Sequence, residues 1–284
     1  MNETAKINSP YTIGKKVFDF SRTYIMGVLN VTPDSFSDGG KYFSVESAVR
    51  RGMEMVEEGA DIIDVGGEST RPNSESISVE EELRRTIPVI EQLAKRIDVP
   101  ISIDTTKSKV AEESLNVGAT IVNDISGLTF DEEIISVVAK AKASLVVMHI
   151  QGNPKTMQQN PHYENVVEEV KGFLSNAVSK AKANGISQIF IDPGIGFGKT
   201  MGHNLLLLKN LNEFTSLGHP ILVGASRKSF IGKLTNELYT DKRLEGTAAS
   251  IAISIANGAN VVRVHDVKEM KKVVQVTDAI VRAK

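Results

Sequence analysis

Short apolar runs rich in β-branched residues alternate along the chain with longer segments whose apolar positions recur at helical spacing. A short apolar run predicts a buried strand, and the segment of helical period after it predicts the helix that leads to the next strand. Such alternation is typical of parallel βα units. The predicted strands are Tyr24–Val31, Ile62–Val65, Ile101–Asp104, Thr120–Ile125, Leu145–His149, Ile189–Asp192, Ile221–Gly224 and Val261–Val264.

Each predicted strand is followed by a predicted helix. Eight strand-helix pairs in about 250 residues match a (β/α)8 barrel, whereas a doubly wound sheet usually has fewer strands. We therefore predict a single-domain α/β protein with a TIM barrel over residues 21–284. Residues 1–20 form an N-terminal extension, in which Tyr11–Phe18 predicts a hairpin that could close the barrel bottom. The predicted helices are Ser44–Glu58, Val79–Arg96, Lys107–Val117, Glu132–Ala141, Val166–Ala183, His203–Phe214, Leu244–Ala256 and Val267–Val281.

Composition narrows the class of protein. The 284 residues are 41% hydrophobic and 24% charged, which is typical of a globular protein. A net charge of −2 without blocks of like charge argues against non-specific binding to nucleic acid or to a membrane surface. The absence of cysteine excludes disulfides, thiolate nucleophiles and iron-sulfur clusters. No segment predicts a signal peptide or a membrane span, so we expect a cytoplasmic protein.

Polar residues end nearly every predicted strand, which is where a (β/α)8 barrel carries its active site. Asn30, Asp104, Asn123 and Asp192 lie within or at the end of apolar strands, where a buried polar group needs a partner. Successive strand residues face opposite sides, so only one of Asn123 and Asp124 can point into the barrel mouth. Helix capping or a turn is as good an explanation as function for four further residues, Ser35, Asp38, Thr105 and Asp124.

Positive charge follows the last two strands. Arg227 and Lys228 come after strand seven, and Arg263 and His265 lie two apart on strand eight, so the latter pair faces one side. Barrels often bind phosphate at these two loops, and we predict an anionic phosphate ligand, with a solvated surface pair as the alternative. Two loops rich in Gly, Pro and Ser, 32–42 and 66–78, are predicted lids that carry Asp34, Phe36, Thr70 and Arg71.

Taken in order, these motifs resemble the dihydropteroate synthase family, the folate-pathway enzymes that sulfonamides inhibit. The similarity spans about residues 22–282, and its specificity comes from seven motifs in sequence, each at a strand end. The motifs are Gly27–Gly40, Asp64–Pro72, Ser102–Thr105, Val122–Gly127, Asp192–Lys199, Ser226–Ser229 and Arg263–Val267.

The resemblance implies a transferase that condenses 6-hydroxymethyl-7,8-dihydropterin diphosphate with 4-aminobenzoate, using Mg²⁺, to give 7,8-dihydropteroate and pyrophosphate. It implies sulfonamides as inhibitors and a homodimer. It assigns Lys228 to the pterin, in place of the phosphate role suggested by its position. The resemblance implies that Asp104, Asn123, Asp192 and Lys228 bind the pterin, and that Asn30, Arg263 and His265 bind the diphosphate, with Asn30 also a magnesium ligand. It implies that the catalytic residues are Asn30, Lys228, Arg263 and His265. The implied aminobenzoate pocket comprises Phe36, Thr70, Arg71, Pro72, Phe197 and Ser229.

Two alternatives share part of this pattern. A pterin-binding methyltransferase barrel, which moves a methyl group from a folate to a corrinoid, would need Asp104, Asn123 and Asp192 but no diphosphate clamp. A non-catalytic pterin-binding barrel would lack the magnesium and diphosphate residues. Asn30, Arg263 and His265 are present, which argues against both.

Overall fold

The computed structural model describes residues 9–32, 45–72 and 74–283. Its first two strands, β1 (Tyr11–Ile13) and β2 (Lys16–Phe18), pair antiparallel as the predicted hairpin. The division of the chain into an extension and a barrel at residue 20 stays a prediction. Eight strands then form one sheet: β3 (Tyr24–Asn30), β4 (Ile62–Gly66), β5 (Ile101–Asp104), β6 (Ile121–Asp124), β7 (Ser144–Met148), β8 (Ile189–Asp192), β9 (Leu222–Val223) and β10 (Val261–Val264).

The sheet is parallel and closes on itself. Its strands follow the order β8-β7-β6-β5-β4-β3-β10-β9, and a parallel bridge between Ile191 and Ile221 joins β8 to the residue that precedes β9. This confirms the predicted (β/α)8 barrel. Each predicted strand boundary lies within one residue of the observed boundary.

Helices surround the sheet. None of those in the described residues combines the length and apolar character that a membrane span requires. Their bounds are α1 (Val45–Glu58), α2 (Val79–Ala94), α3 (Ser108–Asn116), α4 (Ile134–Ala141), α5 (Val166–Ala183), α6 (Met201–Lys209), α7 (Ser229–Thr235), α8 (Leu244–Ala256) and α9 (Val267–Val281), with 3₁₀ helices at Leu211–Leu217 and Thr240–Lys242.

Two helices differ from the prediction. The helix predicted at His203–Phe214 begins earlier, at Met201, because Thr200 and His203 form a reciprocal capping box, and it ends at Lys209 before a separate 3₁₀ helix. The short helix α7 was not predicted. Its seven residues include Gly232, and so short a segment shows too little helical periodicity to be recognised.

The hairpin closes the bottom of the barrel. Tyr11, Phe18 and Phe20 pack against the first inward-facing residues of the strands, among them Phe190. The Tyr11 ring meets that of Phe190 edge-on at 5.3 Å, and its hydroxyl donates to the Ile189 carbonyl at 3.1 Å. A second, larger apolar cluster lies between the strands and the helices. The barrel interior below the active-site end is therefore filled with apolar side chains.

We expect Phe18→Ala to lower the free energy of unfolding by about 3–5 kcal/mol, since it opens a cavity in this apolar plug. Val17→Ala is the matched control. Phe18 is 2% exposed, whereas Val17, its neighbour on the same strand, is 62% exposed. Urea unfolding of both variants measures the difference. Equal losses would show that the hairpin does not seal the barrel.

Candidate active site

A cleft of about 700 Å³ opens at the carboxyl ends of the strands. Asn123 and Asp192 lie below its surface and are 3% and 5% exposed. Phe36 lies outside the described residues, as do Asp34, Ser35 and Asp38. The other predicted site residues all line the cleft: Asn30, Thr70, Arg71, Pro72, Asp104, Phe197, Lys228, Ser229, Arg263 and His265.

Strand alternation brings the polar residues together. On β6, Ile121 belongs to the plug and Val122 to the outer core, so Asn123 faces inward again. The same period applies to Asp192 on β8, two residues after Phe190. Asp104 and Asn123 are direct neighbours in the register of β5 and β6. A polar layer thus lies directly above the apolar plug.

Arg263 connects this layer across the barrel. Its Nε donates to Asp64 Oδ2 and its Nη2 donates to Asp104 Oδ2, both at 2.6 Å. Asn123 Nδ2 donates to the same Asp64 oxygen at 3.1 Å. Two predicted pterin residues, Asp104 and Asn123, and one predicted diphosphate residue, Arg263, are therefore joined through Asp64 in one hydrogen-bonded network.

Asp64 is fully buried within β4, and the sequence pattern marks it only as the first residue of a motif. The available signal was a single carboxylate between Ile62-Ile63 and Val65, in a strand otherwise apolar to its end. An isolated ionisable residue in such a run needs a buried partner, and Arg263 provides one.

Burial shifts the titration of the central groups. It raises the pKa of Asp104 to about 7, although Arg263 lowers it in part, and raises that of Asp192 to about 6. Burial also lowers the pKa of Lys228 to about 8. For Arg263 burial opposes the charge, but Asp64 and Asp104 more than compensate and raise its pKa. Asp104, Asp192 and Lys228 are therefore less stable as ions here than in water, whereas Arg263 is more stable in its charged form.

His265 is neutral and oriented by Ser226. Burial, followed by the charges of Arg263 and Arg227, lowers the pKa of His265 to about 3. The Ser226 hydroxyl accepts from the His265 backbone N–H at 3.2 Å and lies 3.0 Å from Nδ1. In the tautomer in which the Ser226 hydroxyl donates to Nδ1, the imidazole proton lies on Nε2, and the neutral His265 presents a donor to the cleft.

Lys228 lies over the face of Phe197, with Nζ 3.9 Å from the ring centre. Glycine is required beside it, because Gly196 has a φ of +85° and a Cβ there would lie 3.0 Å from Lys228 Cδ. This cation–π contact places the ammonium group above the β8–α6 loop, with the Asp192 carboxylate among its charged neighbours.

A second buried lysine, Lys199, was not singled out from sequence. Its Nζ lies 2.9 Å from His149 Nδ1 and donates to the Phe197 carbonyl at 2.9 Å. Burial lowers the pKa of Lys199 to about 7 and that of His149 to about 3. The pair ties the loop that carries Phe197 to the end of β7.

Asp124 and Thr105, for which the sequence left a cap or turn and a functional role both open, accept hydrogen bonds in local turns. Asp124 accepts from Ser126 N and Oγ and from Leu128 N at 2.6–2.8 Å. Thr105 Oγ1 accepts from the Lys107 backbone at 3.2 Å. Asn123, rather than Asp124, faces the barrel interior, as the alternation predicts.

The loop after β4 is anchored at its base by ion pairs. Lys107 bridges Glu68 and the buried Glu82. Arg85 donates to the Gly67 carbonyl at 2.9 Å. Further along the loop, Arg71 is exposed and lines the cleft.

The described lining of the cleft carries six cationic side chains against two carboxylates. Arg85, Arg227 and Arg263 are paired with Glu81, Asp266 and Asp64, which lie outside this lining. The other three cations form no ion pair with a described residue, and they favour an anionic ligand. The cationic residues are Arg71, Arg85, Arg227, Lys228, Arg243 and Arg263, and the acidic ones are Glu75 and Asp104.

Comparison with known proteins identifies the family. Residues 26–265 match the family model of pterin binding enzymes. Dihydropteroate synthase of Synechocystis is 50% identical over 276 residues, 96% of each chain. The chain belongs to the dihydropteroate synthase family.

Solved dihydropteroate synthases share the fold. The Yersinia pestis enzyme, solved with a sulfonamide drug, has a TM-score of 0.91 at 40% identity and covers 96% of this chain and 100% of its own. The Xanthomonas albilineans enzyme in complex with 7,8-dihydropteroate has a TM-score of 0.87 at 38% identity, with 97% and 99% covered. Membership of the dihydropteroate synthase family removes the methyltransferase and non-catalytic alternatives.

For this dihydropteroate synthase family member we expect Asp192→Asn to stabilise the ligand-free protein above pH 6. The pKa of Asp192 is about 6 in the folded chain, whereas the ordinary pKa of an aspartate is 3.8. Ionisation of Asp192 therefore costs about 3 kcal/mol of stability above pH 6, and this cost disappears as the pH falls towards 4. Asparagine keeps an oxygen for the Gly194 N–H, which Asp192 accepts at 2.7 Å.

Chemical unfolding of both proteins between pH 4 and pH 8 measures the gain. Asp98→Asn is the control, because Asp98 is exposed and Lys15 lowers its pKa. That control should give no gain at high pH. A stability difference for Asp192→Asn that stays constant across the range would contradict the buried charge.

Proposed function

We propose that the chain catalyses the condensation of 6-hydroxymethyl-7,8-dihydropterin diphosphate with 4-aminobenzoate, and that the cleft is its active site. The observation that carries this assignment is the polar layer of Asp104, Asn123 and Asp192 directly beside Arg263 and the other cations of the cleft. A ring-binding layer and a cationic clamp in one cavity suit a heterocycle that bears a diphosphate.

Buried carboxylates and amides suit the pterin ring. Asp192 accepts two hydrogen bonds from the guanidine-like edge of the ring, and Lys228 donates to its carbonyl. Asn123 supplies both an acceptor and a donor. Such buried groups reject rings that leave them unpaired, because each unpaired group costs about 1–3 kcal/mol.

The diphosphate lies towards β10 and the loop after β9. His265 offers its Nε2 proton, and Arg263 uses two of its five N–H donors on Asp64 and Asp104, so others stay available. Charge-assisted contacts of this kind stabilise a phosphate that gains charge as it leaves.

Magnesium fits this site only together with the substrate. Among the described residues no three His, Asp or Glu side chains lie together as a metal cluster. Asn30 lines the cleft, and a Cβ at Gly66 would lie 3.7 Å from Asn30 Oδ1, so glycine leaves space beside that oxygen. One protein oxygen with phosphate oxygens and water is an ordinary Mg²⁺ environment. The ion would neutralise the departing diphosphate, with Asn30 as its protein ligand.

The aminobenzoate pocket lies between the loop after β4 and the start of α7. Thr70, Arg71, Pro72 and Ser229 face the cleft from these two segments, and Phe197 lies beneath them. Arg71 provides a cation for the carboxylate of the substrate. The same pocket takes sulfonamides, and Phe36 is assigned to it from the sequence motif.

Electrostatic stabilisation drives the reaction. The bond between the pterin methylene carbon and the diphosphate oxygen breaks, and both electrons leave with the diphosphate, towards Arg263 and His265. The aniline nitrogen attacks the resulting methylene cation and then releases a proton to water. Because this nitrogen has a free lone pair, the step requires no strong base.

Purified protein should release pyrophosphate and form dihydropteroate when given the pterin diphosphate, 4-aminobenzoate and Mg²⁺. Pyrophosphate is measured by a coupled assay and dihydropteroate by chromatography. Chelation of Mg²⁺ should abolish both products, because the leaving group then keeps its full charge. Tight binding of the pterin without turnover would refute the proposed reaction.

His265→Ala tests the clamp in the same assay. Loss of one neutral donor should raise the KM for the pterin diphosphate by about tenfold, while the affinity for 6-hydroxymethylpterin, which has no diphosphate, stays unchanged. Equal losses of affinity for both ligands would show that His265 does not contact the diphosphate.

We also propose that the enzyme is a homodimer through α8 and α9. These helices pack together and expose Ile253, Val276 and Ile280, and exposed apolar clusters of this kind mark protein interfaces. Sedimentation velocity should give a dimer for the wild type and a monomer for Ile280→Glu; a monomeric wild type would refute the interface.

A cytoplasmic location stays a prediction.

A further inference from the structure

Asp64 occupies the centre of the polar layer, yet it is not part of the cleft surface. It is fully buried on β4 and acts on the cleft only through its neighbours. Its Oδ2 receives both the Arg263 Nε–H and one Asn123 Nδ2–H. Asp64, on β4, therefore links Asn123 on β6 to Arg263 on β10.

The contact with Asp64 decides which way the Asn123 amide faces. A carboxylate oxygen that already accepts from a guanidinium can only accept, so Asn123 must turn its NH₂ group towards Asp64. Its Oδ1 then points away from Asp64 and makes no hydrogen bond with the described residues. One acceptor of fixed position is thus presented to a ligand.

We propose that Asp64 is a positioning residue that sets the polarity of Asn123 and so the hydrogen-bond pattern with which the site recognises a pterin ring. This inference rests on the proposed function, because it assigns Asn123 to the ring. With Asp64 in place, Asn123 accepts a hydrogen bond from a ring N–H. Without it, the amide can rotate and present a donor where the ring also has a donor.

A purely stabilising role does not account for Asp64. Its second oxygen, Oδ1, is buried without a hydrogen-bond partner in the described part of the chain. Replacement of a whole buried ion pair by apolar residues is often neutral, so a buried ion pair by itself is weak evidence for a stabilising role. The strand around Asp64 is otherwise apolar. What Asp64 adds is the acceptor that orients the Asn123 amide and also pairs with Arg263.

The test measures the affinity for 6-hydroxymethylpterin, which lacks a diphosphate and so reports on the ring site alone. Calorimetry is performed on the wild type, Asp64→Val, Asn123→Ala and the Asp64→Val/Asn123→Ala double variant. Asp64→Val removes the acceptor of the Asn123 NH₂ group, so we expect it to weaken binding about tenfold through a mispaired buried donor. In the Asn123→Ala background the same change should have little further effect, because the residue through which Asp64 acts is gone.

Two further measurements separate positioning from folding. Asp124→Asn removes another fully buried carboxylate that serves only a turn, and it should leave the pterin affinity unchanged even if it lowers the melting temperature. Asp64→Asn is the conservative variant: it keeps an oxygen that can accept from Asn123, so it should show a smaller loss of affinity than Asp64→Val.

The outcomes are distinct. A wild type that does not bind 6-hydroxymethylpterin overturns the proposed function. A wild type that binds, together with Asp64 variants of equal affinity, overturns the positioning role alone. The same loss in the wild-type and Asn123→Ala backgrounds also overturns it, since Asp64 would then act by another route.

Discussion

The guanidinium of Arg263 between Asp64 and Asp104 is the interaction on which the active-site end of the barrel depends. Two buried carboxylates on adjacent strands repel each other unless a cation lies between them. Arg263 supplies that cation from β10, on the other side of β3, with two hydrogen bonds of 2.6 Å. It therefore holds the Asp64 and Asp104 carboxylates in place before any ligand arrives, and it carries positive charge to the place where the diphosphate is expected.

Such a polar layer is costly, and the rest of the barrel compensates for it. The strands bury apolar residues on both faces below the layer, against the hairpin inside and the helices outside. These clusters provide the hydrophobic stabilisation that lets the upper layer keep charges out of water. Because the strand period is two, the same strands supply both layers without any change of backbone geometry.

The fold was predictable because it depends on patterns that repeat along the chain. Strand boundaries follow from apolar runs, and those runs correspond to the observed strands within one residue. The helix α7 was missed because seven residues carry too little periodicity. Phe36 lies outside the described residues, so its assignment to the aminobenzoate pocket still depends on the motif alone.

The residues of the site were predictable where they end a strand, but their contacts were not. Position along a strand indicated that Arg263 and His265 share a face; it could not indicate that Arg263 turns towards Asp64 and Asp104. Asp64 was missed because it lies inside β4, two residues before the strand ends at Gly66. Lys199 was missed because its partner His149 is 50 residues away along the chain. Contacts between side chains on distant strands depend on how the barrel closes, and a local sequence pattern does not reveal that.

The shifted pKa values of the site explain how its charged groups contribute to ligand affinity. Asp104 and Asp192 have raised pKa values and Lys228 has a lowered one, so each is less stable as an ion in the folded chain than in water. A ligand that donates to the carboxylates and accepts from the lysine relieves that cost, and the relief adds to its affinity. Bulk water supplies such hydrogen bonds poorly here because the layer is closed on every side except the cleft. The barrel thus stores part of the binding energy for a ring of matching donors and acceptors in the unfavourable burial of its own charged groups.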